Sequence, residues 1–231
     1  MKRWYKSAAT VPAEGGFGIA LDGKPLNTPA RTPVVAPTLA LAEAVAEEWA
    51  AQGDTIQLAT MRFTKLLATA HDQVRPDPTH AIGQIAEYAT SDLLCHRAEA
   101  GTALRKRQDA LWQPILDWAV LRYDAQLPVA EGVMPSRPSK AALAAIRLAV
   151  AEHDWLRLAG LFVITTTAGS VLLALALAER RIDIDALWAA ADLDEAYQRE
   201  NWGDDPMAAQ RRSEVEADLR AAARYLALLR P

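Results

Sequence analysis

The chain reads as an α+β protein: a small β-rich N-terminal domain followed by a larger all-helical C-terminal domain. Three observations predict this. The first third opens with alternating runs of β-forming residues around turn signals. At Thr38 the apolar period lengthens from two to four residues. After Thr79 every segment has helical spacing. The stretch "RPDPT" (Arg75–Thr79) breaks one pattern and caps the next. It sets the expected boundary, with a β-rich domain carrying one or two helices over 1–76 and a helical domain over 77–231.

The elements follow in order. "RWYKSAATV" alternates and is rich in β-formers, and "EGG" turns the chain. "FGIALDGKPLNT" is two short runs around Asp22-Gly23, a strong local hairpin signal. Pro25, Pro29, Pro33 and Pro37 then limit the strands to short or edge positions, because proline cannot donate to a ladder. "TLALAEAVAEEWAAQG" has a Thr cap, a Gly stop, and Leu41, Val45 and Trp49 at steps of four, which predicts a helix with one apolar stripe. "MRFTKLLATAHDQV" predicts a second helix. Further helices are expected to start near Thr79, Thr102, Ser139, Asp154, Asp185 and Pro206. Breaks are expected at Gly101, "LPVAEGVMPSRPS" and "NWGDDP". No internal repeat or long heptad pattern is present.

Composition narrows the function. A net charge of −4 disfavours a nucleic-acid backbone as partner, which needs a dense Lys/Arg field. The compact run Arg105, Lys106, Arg107 reads as a solvated helix face. With a single cysteine, Cys95, there is no intrachain disulfide and no cysteine-rich zinc site. Adjacent helical residues do not face each other, so His96 is no base for Cys95, which reads as a buried structural thiol. "MKRWYKSAATV" lacks the apolar centre of a signal peptide, and the expected location is the bacterial cytoplasm.

Leu158 to Ala178 carries no charge and has the length of a membrane span. Its middle, however, is Thr165, Thr166, Thr167, Ala168, Gly169 and Ser170. We therefore expect a buried helix or helix pair, apolar all round because neighbours surround it.

Enzyme signatures are absent. His71, His80, His96 and His153 match no metal-ligand spacing. Gly15, Gly16 and Gly18 lack the strand–helix setting of a phosphate loop. No G-x-S-x-G elbow occurs. No catalytic residue, metal or cofactor is assigned.

The remaining polar features lie near the C-terminus. Trp188, Ala191, Glu195, Gln198 and Trp202 recur at steps of three and four and share a helical face. Either both indoles are core, with Glu195 and Gln198 bonded to a neighbouring helix, or the stripe is an exposed surface of the kind interfaces use. The following "WGDDP" has a complete local explanation. Gly203 ends one helix, Asp204 or Asp205 caps the next, and Pro206 takes its first position.

Taken together, "RWYKSAAT", "FGIALDGKPLNTPA", "PTLALAEAVAEEWAAQG", "MRFTKLLATAHD", "YATSDLLCHRA", "RQDALWQPILDW", "TTTAGSVLLALALA" and "DEAYQRENWGDD" resemble, in order and spacing, the ATP synthase F(1) assembly chaperones of the Atp-twelve type. The resemblance covers nearly the whole chain and looks like the α-proteobacterial version; eukaryotic relatives work in the mitochondrial matrix. It implies a non-catalytic protein, expected to be monomeric, that binds the unassembled F(1) α subunit and prevents its aggregation until β subunits replace it.

Asp92, Arg97, Gln108, Trp112, Glu195 and Gln198 match family positions, as do Trp202, Gly203 and Asp205. The expected partner-binding set is Asp92, Arg97, Glu195, Gln198, Trp202, Gly203, Asp204 and Asp205. One departure is Met207, where the family pattern usually carries a further acid. Two other readings are a metal-dependent hydrolase using Asp204, Asp205 and Glu195, and a protein anchored in a membrane through Leu158–Ala178.

Overall fold

A computed structural model of the chain describes residues 1–132, 137–203 and 205–230. The chain forms two compact units. The first comprises Met1–Pro78, Asp154–Gly160 and Ala221–Pro231; the second comprises Thr79–His153 and Leu161–Arg220.

The first unit starts from an antiparallel hairpin. β1 (Ala8–Ala13) pairs with β2 (Gly16–Leu21) from Ala8 opposite Leu21 to Ala13 opposite Gly16. The turn signal at "EGG" is where the chain reverses. The far end of β2 turns through Asp22 and Gly23, both at positive φ (49° and 77°), into β3 (Lys24–Pro25). Positive φ at both turn residues suits the right-handed twist of the strands. Asp22 reinforces the turn: its carboxylate accepts from the Lys6 and Ser7 amides, which hold its pKa below the usual carboxylate range.

β4 (Val35–Ala36) pairs with the start of β2. Gly16 is required there, because a Cβ would collide with the Ala36 carbonyl oxygen. The strands after Asp22 are as short as the prolines predict.

α1 (Leu39–Ala50) begins at Thr38, whose Oγ1 accepts from the Leu41 amide at 3.3 Å. Leu41, Val45 and Trp49 are all buried, as their spacing predicts. α2 (Arg62–Thr69) continues into one wider turn over Ala70–Val74. Glu48 of α1 serves the start of α2, accepting from the Phe63 and Thr64 amides at 2.7 and 2.8 Å. Burial still raises the pKa of Glu48 against those bonds.

Two later segments complete this unit. Gly160 lies against Leu226 and Tyr225; a Cβ there would stand 2.7 Å from Leu226 Cδ2. The Tyr225 hydroxyl donates to the Leu156 carbonyl at 3.2 Å.

The second unit is helical. α3 (Pro78–Glu87) is followed by short tight turns over Tyr88–Thr90 and Leu93–Cys95. β5 (His96–Arg97) then precedes α4 (Ala103–Tyr123), and β6 (Ala130–Glu131) precedes α5 (Lys140–Ala151). Thr102 and Ser139, near which helix starts were expected, cap α4 and α5 through the amides three residues on. β5 and β6 form a two-residue parallel pair, so this part is not all-helical.

The apolar stretch is a helix pair: α6 (Trp155–Ala168) and α7 (Val171–Ala178), separated by Gly169 at φ +68° and by Ser170, which caps α7. Among the described residues no helix is long and apolar enough to cross a membrane. α8 (Ile184–Ala191), α9 (Leu193–Trp202) and α10 (Pro206–Leu228) follow. α4 packs against α7, α8 and α9 and forms the centre of this unit. Cys95 is buried within it.

Candidate functional site

The expected single helix from Asp185 to Trp202 is two helices. Asp183 caps α8 by accepting from the Ala186 amide at 2.8 Å, and the chain breaks at Asp192. The break has an electrostatic cause. The nearly buried Asp192 carboxylate pairs with Arg199 at 2.8 Å and with Arg212 Nε at 3.2 Å. A carboxylate withdrawn from water needs such partners. α9 is thereby tied to α10.

The "WGDDP" corner closes as its residues dictate. α9 ends before Gly203, which has φ +86°, a conformation that favours glycine. Asp205 accepts from the Ala208 amide at 2.9 Å, and Pro206 opens α10. This is an N-cap, placing negative charge at the positive end of the helix dipole. Asp204 lies outside the described residues.

A groove of about 450 Å³ runs beside this corner. Its first wall is the stripe read from the sequence: Trp188, Ala191, Glu195, Gln198 and Trp202. Arg211, Arg212 and Val215 of α10 line it too, and Gly203 and Asp205 lie at the corner. The stripe is surface rather than core, since Trp202 is 77% exposed and Glu195 and Gln198 are exposed as well. Arg212 stands 6.0 Å from the Trp188 ring centre. An exposed Trp in a groove that arginines also line is the composition that protein interfaces favour.

Asp92 and Arg97, expected in the contact set, are both buried, at 0% and 3% exposure. Asp92 accepts from the Leu94 amide at 3.1 Å and from the Leu172 amide at 3.2 Å, and Ser170 bonds to it as well. Burial nonetheless pushes its carboxyl up to about 6, the hydrogen bonds opposing. Arg97 lies over the Trp112 ring, donates to the Leu94 carbonyl and pairs with Asp109 at 3.4 Å.

Gln108 and Trp112 are buried too. Gln108 joins the Ala98 amide to Asp194, and the Trp112 indole donates to the Ala190 carbonyl at 2.9 Å. Gln108 and Trp112 thereby tie α4 to α8 and α9, two of the helices that carry the groove. Met207 is 74% exposed, so the corner also presents an apolar side chain.

Sequence reasoning missed Asp192 and Arg199 as the organisers of the site. Their seven-residue spacing, two helical turns, was the available signal. Among the described residues, no group of three His, Cys, Asp or Glu is placed to hold a metal ion. Asp205 is engaged as a helix cap, and nothing in this geometry favours the hydrolase reading.

Residues 2–120 match the family model described as ATP12 chaperone protein. The chain is similar over 99% of its length to Atp12 from Paracoccus denitrificans, covering 98% of that crystal structure at 34% identity and a TM-score of 0.90. A mutant of the same protein matches equally. A crystal structure of a protein from Agrobacterium tumefaciens matches at 40% identity and a TM-score of 0.92, over 99% of this chain and 86% of that one.

Proposed function

The chain belongs to the ATP12 chaperone family, and we propose that it holds the unassembled α subunit of the ATP synthase F(1) sector until β subunits take its place. An isolated α subunit presents apolar surface that β later covers, and such surface self-associates. A protein that covers it reversibly raises assembly yield without consuming ATP. The job calls for a surface offering aromatic area together with polar groups, so that the grip is firm but open to competition.

The observation that supports this reading best is the groove beside α9. It offers an exposed indole at Trp202, with Glu195 and Gln198 unpartnered among the described residues. In this reading Glu195, Gln198, Trp202, Gly203, Asp205 and Asp204 form the contact face. Asp92 and Arg97 act indirectly, by keeping the helices in place. The protein works as a cytoplasmic monomer.

The test is co-expression with an α-proteobacterial α subunit, followed by size-exclusion chromatography with light scattering. The expected result is a one-to-one complex that dissociates when β is added. Free chaperone beside aggregated α would overturn the proposal.

A further inference from the structure

The first unit contains a second groove, of about 560 Å³, that the chaperone reading does not use. Its walls come from β1, β2, the segment 32–37, the turn after α2 and the start of α6. Most of the lining is aliphatic or proline, including Val11, Ile19, Leu26, Val35 and Leu156. Its volume lies within the range of ordinary ligand pockets.

Besides Thr32, three polar side chains interrupt the apolar lining. Arg75 is exposed, and its guanidinium lies 5.4 Å from the centre of the Trp155 ring. No carboxylate among the described residues pairs with it. Stacking on an indole restrains a guanidinium and leaves its planar fork available to a carboxylate.

His71 meets the same indole edge-on, at 4.9 Å between ring centres. It is 6% exposed, and its Nε2 lies 2.8 Å from the Val35 carbonyl oxygen. A carbonyl accepts only, so Nε2 carries the proton and Nδ1 of the neutral ring is an acceptor. That Nδ1 is buried and has no partner among the described residues. Unsatisfied buried polar atoms are uncommon and costly. The third feature is the exposed Glu14, in the turn between β1 and β2. With a carboxylate in the wall, the groove is not uniformly basic, so an acid in the occupant is placed by Arg75 specifically.

We propose that this groove binds the C-terminal end of an extended polypeptide whose last residue is aliphatic. Such a residue supplies together what the walls lack: an apolar side chain for the lining, a carboxylate for Arg75, and a backbone N–H for His71 Nδ1. An internal acidic residue offers a carboxylate in place of the apolar side chain, and a free fatty acid has no N–H.

The probe is a fluorescein-labelled pentapeptide of alanine and valine ending in leucine, with a free carboxylate, titrated against the full chain by fluorescence polarisation. Three competitors accompany it: the same peptide amidated, an amidated peptide with glutamate in the last position, and octanoate. We expect saturable binding of the free-acid peptide, with both amidated peptides weaker by roughly tenfold or more.

Arg75→Gln changes an exposed residue and should leave the fold intact. It is expected to bring the free acid down to the affinity of its amide. His71→Phe should weaken both peptides alike, because Nδ1 meets the N–H rather than the carboxylate. Absence of saturable binding at about 1 mM peptide, well short of ordinary specific affinities, would overturn the proposal. So would equal affinity of acid and amide, parity of the glutamate peptide or octanoate with the free-acid peptide, or indifference to Arg75→Gln.

Discussion

Asp92 and Leu172 are 80 positions apart, yet the Asp92 carboxylate accepts from the Leu172 amide at 3.2 Å, inside the first turn of α7. The carboxylate is completely buried, and backbone amides and Ser170 hold it. An acid at a helix N-terminus gains from the dipole but is penalised by leaving water. Here the penalty is the larger, and the folded-state value rises to about 6.

A stability prediction follows from that sign. Between the unfolded value near 4 and about 6, the folded protein binds the extra proton, so this group's contribution to stability falls as pH rises through that window and is flat above it. The full span corresponds to roughly 3 kcal/mol. Asp92→Asn should remove this slope. Urea unfolding at pH 4, 5, 6 and 7 measures it; equal slopes in the two proteins would show that Asp92 does not titrate in this window.

Trp202→Ala separates contact from stability. The side chain is 77% exposed, so the change should shift stability by less than about 0.5 kcal/mol. Affinity for the α subunit should fall by roughly tenfold or more. Paired denaturation and pull-down experiments decide it, and unchanged affinity would remove Trp202 from the contact face.

Asp205 has two roles to tell apart. Asp205→Ser keeps a capping oxygen and should hold stability, whereas Asp205→Ala should cost about 1 kcal/mol. If the carboxylate also touches the α subunit, Ser and Lys variants both bind it less well at equal folded concentration. Retained binding by Asp205→Lys would confine this residue to capping.

Gly160→Ala tests how the first unit is completed. The new methyl group would press on Leu226 and Tyr225, and we expect a loss of about 1–3 kcal/mol from overpacking. A smaller loss on combining it with Leu226→Ala, compared with the sum of the single variants, would confirm the contact.

Much of the frame was readable because its signals are local. The Asp22-Gly23 turn, the caps at Thr38, Thr102 and Ser139, and the Gly203–Asp205–Pro206 corner all involve groups within a few residues of one another. The Trp188–Trp202 stripe was readable from its spacing, and its exposure was not. Whether a helical face meets solvent depends on what the rest of the chain packs against it.

The same limit explains Asp92 and Arg97. A family match carries residue identity to a position but does not say whether that position is buried. The break at Asp192 has neither glycine nor proline to announce it, because Arg199 and Arg212 stabilise it through space. The β5–β6 pair is too short to leave a period. His71 has no local signal beyond its failure to match a metal-ligand spacing, and its meaning comes from Val35 and Trp155, distant in sequence.

The contribution of Leu226 and Tyr225 to the first unit bears on how the protein is made. A ribosome releases the β1–β2 hairpin and α1 early, but Leu156 and Gly160 emerge long afterwards and Leu226 later still. The unit begun first is therefore sealed last. Until then the nascent chain carries an open apolar seam, and contacts of such sequence separation form slowly. A member of a chaperone family thus passes through a stage of its own biosynthesis in which it is the vulnerable chain.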